Sequence, residues 1–242
     1  VRILVTGGAK RLGAAIVRRL ATDGHAVVIH YGRSREEARA LADEVGAAGT
    51  VQGDLAAVET AADLFARAVE VAGGPIEGLV NSASLFEYDR PGAVDAALAA
   101  RLTAVNCTMP TLLAQALAAQ GVEGAVVNIL DQKLANPNPD FFSYTLSKAA
   151  LAEATVLMAQ AHAPQVRVNA VAPGLTLPSG DQTAEQFAGV ASANLLRHPV
   201  GAERVAAAVA WLLGAESVTG QTVFVDAGQR FVKAARDVMF DD

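Results

Sequence analysis

Short runs rich in valine, isoleucine and leucine recur at Arg2 to Thr6, Ala26 to His30, Leu79 to Asn81, Ala125 to Leu130, Val166 to Val171 and Thr222 to Val225. This recurrence constrains the fold more than any other feature of the chain. Runs so short and so uniformly apolar suit strands covered on both faces, as in a parallel sheet. Thr50 to Gln52 adds a weaker seventh run. The segments between them carry helical periodicity at Arg11 to Thr22, Arg35 to Val45, Val58 to Val71, Asp95 to Ala119 and Ser143 to Ala161, and Glu203 to Leu213 adds one before the last run. Repeated strand-helix-strand units with right-handed crossovers predict a doubly wound α/β fold with strand order 3-2-1-4-5-6-7. Its ligands belong at the carboxyl ends of the strands.

A chain of 242 residues, 52% hydrophobic and 18% charged, can bury one large core, so one domain over residues 1–242 is expected. With a net charge of −6 and no basic stripe, the chain lacks what a nucleic acid or an anionic membrane would require of it. No apolar stretch approaches the roughly 20 residues of a membrane span, and the strand-like Val1 to Val5 lacks the layout of a signal peptide. A cytoplasmic protein with small-molecule ligands is therefore expected. One cysteine, Cys107, leaves no internal disulfide and no cysteine-based metal site, and the four histidines show no paired ligand spacing. No metal is expected. The irregular stretch 173–199 is long enough to cover a substrate with a short helix, or to be a mobile insertion.

The first strand runs into Thr6-Gly7-Gly8-Ala9-Lys10-Arg11-Leu12-Gly13, which opens a helix. Glycines allow a tight turn and close approach of backbone to a pyrophosphate, and the helix amino end offers free N–H groups. Gly7, Arg11, Leu12 and Gly13 are thus candidate cofactor residues. The second strand ends in His30-Tyr31-Gly32-Arg33-Ser34, without the acidic residue that would hold a ribose diol. An arginine and a hydroxyl at that turn suit a 2′-phosphate, which favours NADPH over NADH and marks Tyr31, Arg33 and Ser34. Tyr144 and Lys148, four apart, share one helical face. Asp131 lies thirteen residues before Tyr144, after the fifth strand, and Asn106 lies on the preceding helix.

Together the glycine-rich turn, Tyr144-x-x-x-Lys148, Asn106 and Pro173-Gly174 resemble the short-chain dehydrogenase/reductase family over nearly the whole chain. The resemblance implies a Rossmann-type fold, NADP as cofactor and a homotetramer, with the helices from Asp95 and Ser143 packing between subunits. It also implies that Lys148 holds the nicotinamide ribose, that Asn106 supports a water chain through its backbone, and that Tyr144 donates or relays a proton. Asp54-Leu55 resembles the family's adenine contact, and Asn81-Ser82-Ala83 its Asn-Asn-Ala-Gly element. A tyrosine ordinarily loses its proton near pH 10, so Lys148 and an oxidised nicotinamide would be needed to stabilise the phenolate.

Two departures select a branch. The family's middle glycine is Arg11, and its catalytic serine is Asp131. An ionised carboxylate would repel a developing alkoxide but suits a substrate with N–H donors or ring nitrogens awaiting protons. Lys10-Arg11-Leu12-Gly13, Asn81-Ser-Ala-Ser84-Leu-Phe86 and Pro173-Gly174-Leu-Thr176 resemble the pteridine reductase and dihydromonapterin reductase branch. By that resemblance Asp131 and Tyr144 deliver protons to a pterin or folate, Phe86 stacks on the ring, and Ser84 and Arg11 touch substrate. Thr176 lies at the nicotinamide or its phosphates. Phe86 as core packing stays open, as does a role for Phe141 and Phe142 as pocket wall or as packing. A carbonyl or 3-oxoacyl reductase tolerating Asp131 is the alternative activity, and a silent NADP-binding regulator a remote one. The tail beyond Arg230 is expected near a neighbouring pocket.

Overall fold

The computed structural model describes residues 1–178 and 184–237. Seven strands, β1 (Arg2–Thr6), β2 (Ala26–Tyr31), β3 (Gly49–Gln52), β4 (Gly78–Asn81), β5 (Gly124–Ile129), β6 (Val166–Pro173) and β7 (Thr222–Val225), form one sheet. Its order is β3-β2-β1-β4-β5-β6-β7, and every neighbouring pair is parallel. This is the predicted Rossmann-type order, with each strand boundary within a few residues of expectation.

Successive side chains of a strand point to opposite faces, and here both faces are covered. Ile3 and Val5 of β1 face a cluster with Ile16, Val17 and Leu20 of α1 (Arg11–Thr22), Leu41 of α2 (Arg35–Val45) and Val205 and Val209 of α8 (Ala202–Gly214). Leu4, between them, faces Leu64 and Phe65 of α3 (Ala61–Ala72), and Leu113 and Leu117 of α5 (Met109–Ala118). Each such leucine or isoleucine, fully removed from water, contributes about 1.5–3 kcal/mol. The unbroken apolar strands of the sequence are explained by this two-sided burial. No helix among the described residues is long and apolar enough to cross a membrane.

Two helices depart from expectation. The stretch read as continuous from Asp95 to Ala119 is α4 (Ala96–Thr103), a π turn over Ala104–Thr108, and α5. Pro110 is responsible. It has no N–H to give the carbonyl of Asn106 four residues back, so the ladder re-registers where Asn106 sits. Asp95 is the amino-terminal cap, accepting from the N–H groups of Ala97 and Leu98. Likewise the helix expected from Val58 starts as a 3₁₀ turn, Val58–Thr60, before α3. Within the stretch 173–199 a short helix, α7 (Ala184–Ala191), is present. Residues 179–183 of that stretch and 238–242 of the tail lie outside the described residues.

Candidate active site

The carboxyl ends of β1, β4, β5 and β6 open onto a cavity of about 820 Å³, where β1 has its neighbours on either side connected in opposite directions. On the β1 side the chain is packed too closely for side chains. Gly7 adopts φ +62°, and a Cβ there would lie 2.8 Å from the Ala83 Cα. A Cβ on Gly13 would lie 2.2 Å from the Gly7 carbonyl oxygen, so α1 starts directly on the turn. Arg11 stands where the family pattern has glycine, and it keeps the glycine-like backbone, with φ 53°. Its guanidinium donates to the Pro178 carbonyl at 2.6 Å, tying the first turn to the segment after β6. Leu12, Ser82 and Thr176 line the same cavity.

His30 organises this turn. Its backbone carbonyl accepts from the Gly8 N–H at 3.0 Å, and its Nδ1 accepts from the Gly7 N–H at 3.1 Å. Nε2 must then carry the proton, which it shares with the Gly53 carbonyl at 3.2 Å. Burial lowers the His30 pKa to about 4, so the ring stays neutral and can keep accepting from Gly7. Gly53 precedes Asp54 and Leu55, the expected adenine contacts. Asp54 accepts from the Ala56 N–H at 3.0 Å, while Leu55 is buried. At the end of β2, Tyr31 is buried, Arg33 is exposed and Ser34 starts α2 without its hydroxyl capping the helix. The cationic and hydroxyl side chains thus flank one turn. Thr6 Oγ1 accepts from the N–H groups of Ser82 and Ala83, joining the ends of β1 and β4. Asn81 Nδ2 donates to Asn128 of β5 at 2.8 Å beneath them. Gly174 leaves room for Asp226 and Gln229, since a Cβ there would meet both within 3 Å; Pro173 ends β6 before it.

The chemical residues converge on the β5 side. Tyr144 and Lys148 share a face of α6 (Phe142–His162), and both are buried. The Tyr144 hydroxyl donates to Asp131 Oδ2 at 2.9 Å, and Asp131 Oδ1 accepts from the Lys133 N–H at 2.8 Å. Burial raises the Asp131 pKa above the usual carboxylate range, against the hydrogen bonds and the Lys148 charge that lower it. Burial and the Asp131 carboxylate push Tyr144 well above 10, while the Ser84 hydroxyl acts in the opposite sense. Tyr144 keeps its proton, because its hydroxyl meets a carboxylate and the Lys148 ammonium donates instead to the Ile129 carbonyl at 2.8 Å. Desolvation lowers the Lys148 pKa to about 8.

Asn106 acts through its side chain as well as at the π turn. Its Oδ1 accepts from the Leu85 N–H at 2.8 Å and the Ser84 hydroxyl at 3.2 Å; its Nδ2 donates to the Leu85 carbonyl and, at 3.0 Å, to Ser147 Oγ. One fully buried amide thereby fixes the Ser84 segment against the helix turn that carries Lys148. Phe86 is 41% exposed on the cavity wall, with its edge or face against Tyr144 at 4.7 Å between centroids. Phe141 stacks on it at 4.0 Å and is buried, so that aromatic is a backing for Phe86.

The sequence pattern of short chain dehydrogenases matches residues 2–188. The chain belongs to the short-chain dehydrogenase family. Among solved structures, an alternative dihydrofolate reductase from Brucella canis, in complex with NADP, is 42% identical, covers 98% of this chain and 96% of its own, and superposes with a TM-score of 0.91. Pteridine reductase 1 of Leishmania tarentolae is 32% identical, over 96% of both chains. The 3beta-hydroxysteroid dehydrogenase 1 of Eggerthella lenta is 33% identical, over 93% of this chain and 92% of its own. Membership makes the chain an oxidoreductase, and the relatives named above include a pteridine reductase and a hydroxysteroid dehydrogenase.

Within the family pattern, three features escaped the sequence reading. His30 carries no motif, and its double role depends on the turn from β3 lying beside the turn from β1. Lys133, two residues after Asp131, is buried, although a lysine in a polar loop gives no such signal. Residues 232–237 of the tail line the cavity of their own chain. Contacts spanning a hundred residues leave no local pattern to read.

Proposed function

We propose that the chain is an NADPH-dependent pterin reductase, converting a dihydropterin or dihydrofolate to its tetrahydro form. The observation that carries this reading is the Tyr144 to Asp131 hydrogen bond at the floor of the cavity. The residues around the first turn fit NADP: Gly7, Gly13 and Gly174 leave backbone-only surfaces, α1 presents its amino end, and Arg33 with Ser34 offers cation and hydroxyl for a 2′-phosphate. Leu12, Ser82, Ala83 and Thr176 would flank the dinucleotide, Asp54 and Leu55 its adenine. When bound, the nicotinamide supplies the hydride.

The protein's share is to place the substrate and supply one proton. Reducing a ring C=N bond adds hydride to carbon and a proton to the adjacent nitrogen. Asp131, held towards its neutral form by burial, presents an O–H to that nitrogen, and the Tyr144 hydroxyl, donating across 2.9 Å, stabilises the carboxylate left behind until solvent restores its proton. Lys148 would hold the nicotinamide ribose hydroxyls, and Asn106 fixes the Ser84-Leu85 segment beside them. Phe86, backed by Phe141, offers a flat apolar surface for stacking, and Arg11 lines the same cavity. The likeness to a pteridine reductase and to an alternative dihydrofolate reductase supports the same substrate class.

Stopped-flow loss of NADPH absorbance on mixing with dihydrobiopterin, dihydromonapterin and dihydrofolate tests the reading. Turnover with at least one is expected, and silence with all three refutes it. As part of the same reading we place the chain in a homotetramer. Leu146 and Leu157 of α6, each more than half exposed, suit a subunit contact, and light scattering at four times the chain mass is expected.

A further inference from the structure

Lys133 takes no part in the proton chemistry, yet it is a buried cation on the cavity wall beside Asp131. A buried ammonium is tolerated only when paired and hydrogen-bonded. Its partners are Asn138 Oδ1 at 2.7 Å and Asp237 Oδ2 at 3.0 Å, a carboxylate delivered by the tail from 104 residues away. The tail is strapped to the segment between Asp131 and Tyr144. Asn136 Nδ2 donates to the Val232 carbonyl at 2.7 Å, and the Arg236 guanidinium makes a forked pair with Asp140 at 2.8 and 3.1 Å. Asp140 also accepts from the Asp237 N–H at 2.9 Å.

The cavity wall joins the reacting groups to this pair, with Phe141 packed behind it. Phe86 meets Tyr144, Phe141 stacks on Phe86, and Lys133 Nζ lies 5.5 Å from the Phe141 ring centre. Phe86, Asp131, Tyr144, Lys133 and Asp237 line one cavity, so a substituent leaving a ring held at Tyr144 can reach Lys133 without leaving it. We propose that Asp237 occupies the place of a substrate carboxylate, so that Lys133 and the strap set specificity against pterins whose side chain ends in an acid. This rests on the pterin reading above. A carboxylate on the same chain competes at high effective concentration, so the intact protein favours substrates with short neutral substituents. Once Asp237 is neutralised, Lys133 becomes the counter-charge for an incoming acid.

The experiment measures kcat/KM for dihydrofolate, which carries carboxylates, and for dihydromonapterin, which does not. Asp237→Asn should raise the dihydrofolate to dihydromonapterin ratio about tenfold, equivalent to roughly 1.4 kcal/mol. Any effect of Asp237 on Asp131 or Tyr144 acts on both substrates and cancels in that ratio. The double variant Asp237→Asn with Lys133→Met should show no rise, since the cation is gone. Arg236→Gln, which loosens the strap at Asp140, should raise the ratio in the same direction and stands in if Asp237→Asn folds poorly. A ratio unmoved in both single variants, or raised equally in the double variant, overturns the proposal while leaving pterin reduction standing. Failure of the unaltered protein to reduce either compound refutes the pterin reading and this proposal with it.

Discussion

Asp131 and Tyr144, thirteen residues apart, meet through one 2.9 Å hydrogen bond in which the phenol donates and the carboxylate accepts. In a short-chain dehydrogenase with serine at this place the tyrosine would meet a second hydroxyl. Here it meets a group able to hold a charge or a proton, and burial tilts that group towards the proton.

Replacing Asp131 separates the pterin reading from the carbonyl-reductase alternative. Asp131→Ser should lower pterin reduction about 10²–10⁴-fold, the usual contribution of a positioned acid. A carbonyl reductase would keep or gain activity. Steady-state kcat/KM with a dihydropterin and with a simple ketone distinguishes them.

The same residue should leave a mark on stability. Its pKa is higher folded than unfolded, so the stabilisation from protonation is complete below about pH 4, the unfolded value. It is lost as pH rises through the folded value. Asp131→Asn, which mimics the neutral acid, should therefore be more stable at pH 7 and melt at a higher temperature. Melting curves at pH 4 and pH 7 check this, and the difference should shrink at the lower pH.

Lys148 titrates near 8, so its ammonium is present below that pH and lost above it. The KM for NADPH should rise as pH passes 8. Lys148→Met should raise it about 10–100-fold at pH 7, matching loss of a charged hydrogen bond, and should remove the inflection. Cofactor titrations across pH 6.5–9.5 test both, within the roughly accessible range of Lys titration.

Arg33 sits exposed at the turn after β2. Arg33→Ala should weaken NADPH about 10–100-fold and leave NADH within about twofold, because NADH has no 2′-phosphate to lose. Equal loss for both cofactors would assign Arg33 a role other than reading that phosphate.

Ala227 adopts φ 52°, a left-handed conformation that costs an L-residue about 1 kcal/mol or more. Family members often have glycine there. Ala227→Gly should raise Tm by about 1–3 °C, the strain relief exceeding the added chain entropy. Thermal melts monitored by circular dichroism measure it.

The sheet was legible because burial on two faces writes itself into each strand as an unbroken apolar run. Tyr144, Lys148, Asn106 and Asp131 were legible as a spaced set, and the helix face and strand end bring them together. Their charge states were not, since the direction of a pKa depends on desolvation and on which donor reaches which oxygen. The break at Pro110 was available in the sequence, but the alanine-rich pattern on either side masked it. Lys133 and Asp237 could not be paired by reading, because each is an ordinary surface residue until the tail folds back.

His30 joins Gly7 to Gly53 through opposite edges of one ring. Those two glycines open the turns proposed to receive the middle and one end of the dinucleotide. The imidazole is thus a rigid gauge block whose width fixes the gap between two docking points before any cofactor arrives. A cofactor that fits it pays little to order the two loops, and a longer or shorter spacer than imidazole would reset the gap even where every contacting residue stayed the same.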